Sequence, residues 1–175
     1  MASALAEAPV MGGVRAATLD RAGQYLTFSL GPEVYGLEIL KVQEIIGMMP
    51  VTKVPRTPNF VRGVVNLRGK VIPVIDLRTK FEMDLREDTE KTCIIVVQVA
   101  SAAQNITMGI IVDEVAEVLA IAGDLIEPAP QFGAGVRTEF ILGIGKVANK
   151  VVILLDVDKV LSWGEMAELE DAAQA

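Results

Sequence analysis

The chain has 175 residues, a formal net charge of −7 and 51% hydrophobic residues, which fits one domain or two small ones with a substantial core. It contains no histidine and one cysteine, Cys93, so histidine-dependent nucleophile pairs, imidazole-ligated zinc and an intramolecular disulfide are excluded. The acidic balance argues against nucleic-acid binding, and no apolar run approaches the roughly twenty residues needed for insertion into a membrane, so a cytoplasmic protein is expected.

Short strands are predicted along most of the chain, because Val and Ile outnumber Leu and β-branched residues pack well on pleated surfaces. Residues 1–23 show no sustained apolar periodicity and are interpreted as a flexible tail. Gln24–Leu30 and Val34–Leu40 are predicted to be strands on either side of a Gly-Pro-Glu turn. The alternation breaks near Ile39–Val42, which predicts a bulge or one helical turn there.

The next elements lead to a hairpin. Ile45–Val54 is predicted to be a strand, and Thr57–Gly63 is predicted to be a single helical turn with the threonine as its N-cap. Val64–Leu67 and Lys70–Leu77 then form the predicted hairpin, whose tip reads Asn-Leu-Arg-Gly and ends at Gly69. This glycine suits the positive φ that a tight hairpin turn needs.

Comparison of the chain with itself indicates an internal duplication. A shift of 80 residues places Phe60–Leu77 on Phe140–Val157, and a shift of 73 places Gly36–Met48 on Gly109–Ile121. Identical pairs are Phe60/Phe140, Gly63/Gly143, Lys70/Lys150, Val71/Val151, Asp76/Asp156, Gly36/Gly109, Val42/Val115 and Glu44/Glu117. The second copy is predicted to repeat the strands at Lys91–Ala100, Thr107–Val112, Val115–Ile121 and Ile144–Val157, the last after a turn at Thr138–Gly143, with asparagine at position 149 in the second hairpin tip and a longer loop around residues 124–137.

Each copy has about five short strands in roughly 65 residues, which would expose an apolar face if they lay flat. We therefore predict an all-β fold of two five-stranded barrels, at residues 24–90 and 91–161, with a C-terminal helix within residues 162–175. A cleft between the barrels is the expected place for a ligand or a partner segment. Whether one barrel donates a strand to the other is left open.

Residues that differ between the copies are better functional candidates than residues that the copies share. Arg68 stands at the first hairpin tip, where the second copy has Ala148. It is either a solvated tip charge or a fork of donors aimed at a carboxylate across an interface. Glu44 and Glu117 are each either solvent-facing strand residues or polar contacts at a groove edge, for example with an arginine. No nucleophile or metal-ligand cluster accompanies the acidic residues, so neither an enzyme nor a cofactor is expected.

Three segments carry a family resemblance. The run from Gly63 to Arg78 reads Gly-Val-Val-Asn-Leu-Arg-Gly-Lys-Val-Ile-Pro-Val-Ile-Asp-Leu-Arg, and it is accompanied by Tyr35–Ile39 and Val42–Ile45. Together they resemble the CheW family of bacterial chemotaxis coupling proteins. The resemblance covers residues 24–166 as a single CheW-like domain, and it implies two SH3-like barrels without enzymatic activity.

The same resemblance implies a cytoplasmic adaptor that is recruited to the inner face of the membrane through its partners. These partners are the cytoplasmic tips of methyl-accepting chemotaxis receptors and the regulatory domain of the histidine kinase CheA. The implied receptor-binding positions are Val42, Glu44, Arg68 and Val118, and the implied kinase-binding positions are Val51, Thr52 and Arg56. The alternatives are a CheW-like adaptor of another chemosensory pathway, such as pilus motility, and a small-molecule-binding double barrel.

Overall fold

The computed structural model describes residues 23–84, 86–100, 105–130 and 140–161. Its strands are β1 (Gly23–Leu30), β2 (Glu33–Glu38), β3 (Val42–Gly47), β4 (Val61–Leu67), β5 (Lys70–Asp76), β6 (Cys93–Ala100), β7 (Asn105–Val112), β8 (Glu114–Ile121), β9 (Ile126–Glu127), β10 (Ile141–Val147) and β11 (Lys150–Leu155). Two four-residue helices, α1 (Leu77–Lys80) and α2 (Val157–Val160), follow β5 and β11. Within these described ranges, no helix has the length and apolar character needed to cross a membrane. Apart from Gly23, the predicted tail and the predicted C-terminal helix lie outside the described residues.

The strands form two sheets, which confirms the all-β, two-barrel prediction. The first barrel has the strand order β3–β6–β7–β5–β4, and the second barrel has the order β9–β10–β11–β2–β1–β8. In each barrel the chain that leaves one edge strand reaches the opposite edge. Thr52 bridges Val64 in the first barrel, and Glu127 pairs with Ile144 in the second. Closure in this way leaves few unpaired strand edges.

The two barrels are not consecutive halves of the chain. The first barrel contains strands from residues 42–76 and 93–112, whereas the second contains strands from residues 23–38 and 114–155. The boundaries predicted at residues 24–90 and 91–161 are therefore corrected. Each copy of the duplicated unit places its first two strands in the barrel formed by the rest of the other copy.

Packing explains why the exchanged strands lie in the middle of the molecule. On β1, Tyr25 packs inside the second barrel, whereas Leu26 and Phe28 belong to a cluster between the barrels. On β6, Ile94 packs inside the first barrel and Ile95 belongs to the same inter-barrel cluster. Strands that are apolar on both faces are stable where a second layer covers them.

Local structure near the first hairpin differs from the prediction in two places. The break near Ile39–Val42 is a 3-10 turn over Ile39–Lys41, as one of the two alternatives predicted. The helical turn predicted at Thr57–Gly63 is wrong, because β4 already begins at Val61. The Thr57 hydroxyl donates backwards to the Val54 carbonyl oxygen at 2.9 Å, so it does not act as an N-cap acceptor. Strand β3 also ends at Gly47 and does not continue to Val54.

Two aspartates that are identical in the copies cap short helices that the sequence analysis missed. Asp76 Oδ1 accepts a hydrogen bond from the Arg78 amide at 3.0 Å. Asp156 Oδ1 accepts from the amides of Asp158 and Lys159 at 3.1 and 3.3 Å. An aspartate that satisfies amides at a helix start explains why both copies have this residue.

Replacing Asp156 with alanine is expected to lower the free energy of unfolding by about 1 kcal/mol, because the first amides of α2 lose their acceptor. Asp156→Asn keeps a side-chain oxygen and is expected to recover most of that loss. Urea denaturation followed by circular dichroism measures both variants. Equal losses for alanine and asparagine would contradict the capping role.

A salt bridge stabilises one of the two connections at which the chain crosses between the barrels. Asp113 links β7 of the first barrel to β8 of the second, and its two carboxylate oxygens accept from Arg78 Nε and Nη2 at 2.8 and 2.6 Å. The same carboxylate accepts from the Gly31 amide at 2.8 Å, in the turn between β1 and β2. One side chain therefore joins three separate parts of the chain.

The other crossing has a similar pair with the charges exchanged. Lys41 precedes β3 and donates to Asp158 of α2 at 2.8 Å. Asp158 also accepts from the Ala100 amide at 2.8 Å. The hydrogen bond to Asp158 raises the pKa of Lys41 against the opposing effect of burial, and the nearby carboxylates add to this rise.

Candidate functional site

The first hairpin tip is a two-residue turn. Leu67 pairs with Lys70, which leaves Arg68 and Gly69 at the turn with φ angles of 53° and 87°. Asn66 Oδ1 accepts a hydrogen bond from the Gly69 amide at 2.8 Å and holds the turn. The positive φ expected for Gly69 is confirmed. Arg68 shares this conformation, so its backbone is part of the turn.

The second hairpin corrects one expectation. Ala148 has a φ of 55°, whereas Asn149 is not among the described residues with positive φ. Both hairpin turn types with two central residues require a positive φ at the first of them. The sequence analysis placed the requirement on the second central residue.

Arg68 forms an ion pair with Glu44 of β3. The register between β3 and β6 shifts between Val42 and Glu44, and this bulge changes the direction of the side chains that follow it. The side chain of Arg68 is 67% exposed and that of Glu44 is 27% exposed. Because a guanidinium has five N–H donors, Arg68 can hold Glu44 and still bind a carboxylate of a partner. Of the two alternatives for Glu44, the arginine pair is the one observed.

Glu117 has the same place in the second barrel but different surroundings. Its amide donates to the Thr27 hydroxyl oxygen at 3.1 Å, and that hydroxyl donates to the Glu117 carbonyl oxygen at 2.7 Å. The residue that corresponds to Arg68 is Ala148, which has no charge. The two barrels therefore share a bulged strand and differ in the ion pair.

Val42 and Val118 lie at the margin of the inter-barrel cluster. Val42 is half-buried and packs against that cluster. Val118 is 46% exposed and pairs in register with Leu26, a member of the cluster. Ile45 is the counterpart of Val118 under the shift of 73 residues; it is 44% exposed and pairs with Ile95 of the cluster. The sequence analysis missed Ile45, although the shift that aligns the copies could have found it.

The open cleft predicted between the barrels is filled in the structure. Besides the aliphatic cluster, the rings of Phe28, Tyr35, Phe81 and Phe140 follow one another with centroid distances of 5.9, 5.9 and 5.4 Å. Burial raises the pKa of the Tyr35 phenol, and the charge of Glu33 raises it further. Binding between the barrels is therefore confined to the margin of this packed region.

Val51, Thr52 and Arg56 lie on the segment that closes the first barrel. Val51 packs into the first-barrel cluster, and Thr52 exchanges two backbone hydrogen bonds of 2.8 Å with Val64. Arg56 is exposed and has a φ of 66°. The hydrogen bonds described for these residues do not extend to the pair of Glu44 and Arg68, so the two candidate surfaces are separate.

An open cavity of about 530 Å³ lies beside this closing segment. Its lining includes Lys53 and Arg62, opposite Asp76 and Asp88. Arg62 donates to both carboxylates, at 3.0 Å to Asp76 and 3.2 Å to Asp88. The charges in the cavity largely satisfy one another. Across the described part of the chain, no group of three or more Cys, Asp or Glu side chains is arranged to hold a metal ion.

Comparison with known proteins gives consistent relatives. A family model described as CheW-like domain matches residues 24–165. Chemotaxis protein CheW of Klebsiella aerogenes is 41% identical over 152 residues, which cover 87% of this chain and 89% of that protein. The protein of the same name from Treponema pallidum is 33% identical over 156 residues, covering 86% and 88% of the two chains. The crystal structure of the scaffolding protein TtCheW from Thermoanaerobacter tengcongensis matches with a TM-score of 0.71 at 38% identity, covering 81% of this chain and 93% of that one.

Proposed function

The chain belongs to the CheW-like family of chemotaxis proteins, and we propose that it is a non-enzymatic adaptor that couples methyl-accepting chemotaxis receptors to a CheA-type histidine kinase. The family match and the scaffolding protein with the same fold support the adaptor role. The adaptor works in the cytoplasm and reaches the inner face of the membrane through the receptors that it binds.

The receptor-binding surface in this proposal consists of Val42, Glu44, Arg68 and Val118. The observation that carries it is the exposed Arg68 guanidinium, held on a tight turn and paired with Glu44. The two valines lie at the margin of the inter-barrel cluster, where a receptor helix can bury them. Apolar burial contributes about 25 cal/mol per Å², which association costs largely offset, so the charged residues set orientation more than strength.

The kinase-binding surface in this proposal consists of Val51, Thr52 and Arg56. Because it lies on the closing segment of the first barrel, away from the Arg68–Glu44 pair, one molecule can contact both partners at once. Coupling then requires that receptor and kinase favour different arrangements of the assembly, since a partner with equal affinity for both arrangements shifts nothing.

Arg68→Glu is expected to abolish co-sedimentation with receptor-containing membranes, because it replaces the donor fork with a charge that repels both Glu44 and a partner carboxylate. Lys150→Glu is the matched control, with the same charge change at the corresponding position of the second hairpin, and it should bind like the wild type. Unchanged binding of Arg68→Glu, with a folded chain by circular dichroism, would reject the receptor surface.

A charge exchange separates a partner contact from an internal one. The double variant Glu44→Arg with Arg68→Glu restores an ion pair within the chain but presents the wrong charge to a receptor. We expect it to remain deficient in receptor binding and to keep its binding to the kinase regulatory domain. Recovery of receptor binding would mean that Arg68 acts through Glu44 alone.

A further inference from the structure

A series of side-chain hydrogen bonds crosses four strands of the first barrel. Lys70 Nζ donates to Thr107 Oγ1 at 3.1 Å, and Gln98 Nε2 donates to the same oxygen at 3.1 Å. Gln98 Nε2 also donates to Gln43 Oε1 at 2.8 Å. These residues belong to β3, β6, β7 and β5, which lie side by side in that order. We call Gln43, Gln98, Thr107 and Lys70 the polar ladder.

The two ends of the polar ladder adjoin the two partners of the Arg68–Glu44 pair. Lys70 directly follows the turn that contains Arg68, and Gln43 directly precedes Glu44. In the centre, Thr107 is 8% exposed and accepts from two side chains. A shielded group that loses its hydrogen-bond partner has a desolvation cost, so the central oxygen holds its two donors more firmly than a surface hydroxyl would.

The second barrel cannot form the same ladder. The shift of 73 residues places Val34 at the position of Thr107 and Ala116 at the position of Gln43, and neither side chain can form a hydrogen bond. The fold of a barrel therefore does not require the ladder. It occurs in the barrel whose hairpin carries Arg68.

We propose that the polar ladder positions Arg68 relative to Glu44, with Thr107 as its central positioning residue for receptor binding. This inference rests on the function proposed above. The ladder links β3, which carries Glu44, to the hairpin that carries Arg68 across two intervening strands. Without the Thr107 oxygen, Lys70 and Gln98 lose their common acceptor and the two charged residues lose a fixed separation. A site that is ordered before binding loses less entropy when a partner arrives.

The first test measures affinity for a purified, soluble fragment of a methyl-accepting receptor that contains its cytoplasmic hairpin, by isothermal titration calorimetry. Thr107→Val is expected to bind about five- to tenfold more weakly, the effect of losing one or two hydrogen bonds. Thr107→Ser keeps the oxygen and should bind like the wild type. Thr92→Val is the matched control, because Thr92 is also 8% exposed and its hydroxyl accepts from the Thr89 amide outside the ladder.

The second test needs no partner. The guanidinium signals of Arg68 in nitrogen-15 spectra of the free chain report whether the side chain is held. They are expected to broaden in Thr107→Val and to stay as in the wild type in Thr107→Ser and Thr92→Val. If the receptor fragment does not bind the wild type, the proposed function fails and this measurement still decides the role of the ladder. An unchanged Arg68 signal in Thr107→Val, or equal binding by Thr107→Val and wild type, would overturn the inference.

Discussion

Replacing Gly63 with alanine is expected to lower the free energy of unfolding by about 3 kcal/mol or more, a large part of the stability of an ordinary domain. A Cβ at Gly63 would overlap the Thr52 carbonyl oxygen and lie 2.8 Å from Val51 Cγ1. The φ of 147° adds backbone strain for any residue with a side chain. Thr52 cannot move away, because two hydrogen bonds to Val64 hold it there and close the barrel.

Gly47→Ala is the matched control in the same barrel, since a Cβ at Gly47 meets nothing within 4 Å. We expect a loss below about 1 kcal/mol for this variant in urea denaturation. Gly143 corresponds to Gly63 in the second barrel, and a Cβ there would lie 2.7 Å from Ile126 Cγ2 and 2.8 Å from the Glu127 carbonyl oxygen. Gly143→Ala should therefore also be strongly destabilised. Similar losses at Gly63 and Gly47 would contradict the close-approach argument.

Asp113→Asn is expected to lower the free energy of unfolding by about 2–3 kcal/mol at neutral pH. The side chains of Asp113 and Arg78 are 15% and 12% exposed, so water compensates poorly for a lost counter-ion. Asparagine keeps the shape of the side chain but leaves the Arg78 guanidinium without its negative partner. The loss also weakens the contact to the Gly31 amide, which joins the two barrels at this crossing.

The effect of Asp113→Asn should depend on pH. Burial alone would raise the pKa of Asp113, but the hydrogen bonds from Arg78 and Gly31 and the charges of Arg78 and Arg86 outweigh it and lower the pKa below 3.8. A carboxyl group with a depressed pKa in the folded state stabilises the protein above its unfolded pKa, and this stability is lost as the pH falls through the folded value. The difference between wild type and Asp113→Asn should therefore be complete near neutral pH and shrink as the pH falls below about 3.8.

The corresponding pair at the other crossing provides the control. Asp158→Asn breaks the contact with Lys41, whose side chain is 31% exposed against 30% for Asp158. Because water reaches this pair more easily, we expect a loss of about 1 kcal/mol. Equal losses for Asp113→Asn and Asp158→Asn at neutral pH would show that burial does not determine the difference.

Part of the candidate site could be predicted from the chain alone. Arg68 was selected because it differs from Ala148 in the other copy, and an arginine partner was one interpretation of Glu44. The polar ladder could not be predicted, because Gln98 and Thr107 read as ordinary strand residues until β6 and β7 are placed between β3 and β5. Hydrogen bonds between distant strands depend on register, which composition and periodicity do not contain.

The sequence by itself determined the strand content and the duplication, because alternation of side chains and recurrence at a constant shift are local properties. Only the tertiary structure decided which copy supplies which strands. Gly109 pairs with Val74 and Gly36 pairs with Leu154, so both contacts join one copy to the other. Pairing within a copy would bring together the same residue types, a glycine with an aliphatic residue, because the copies are alike. The sequence pattern is therefore equally compatible with exchanged and unexchanged barrels, and the packing of both faces of β1 and β6 in the middle of the molecule favours the exchange.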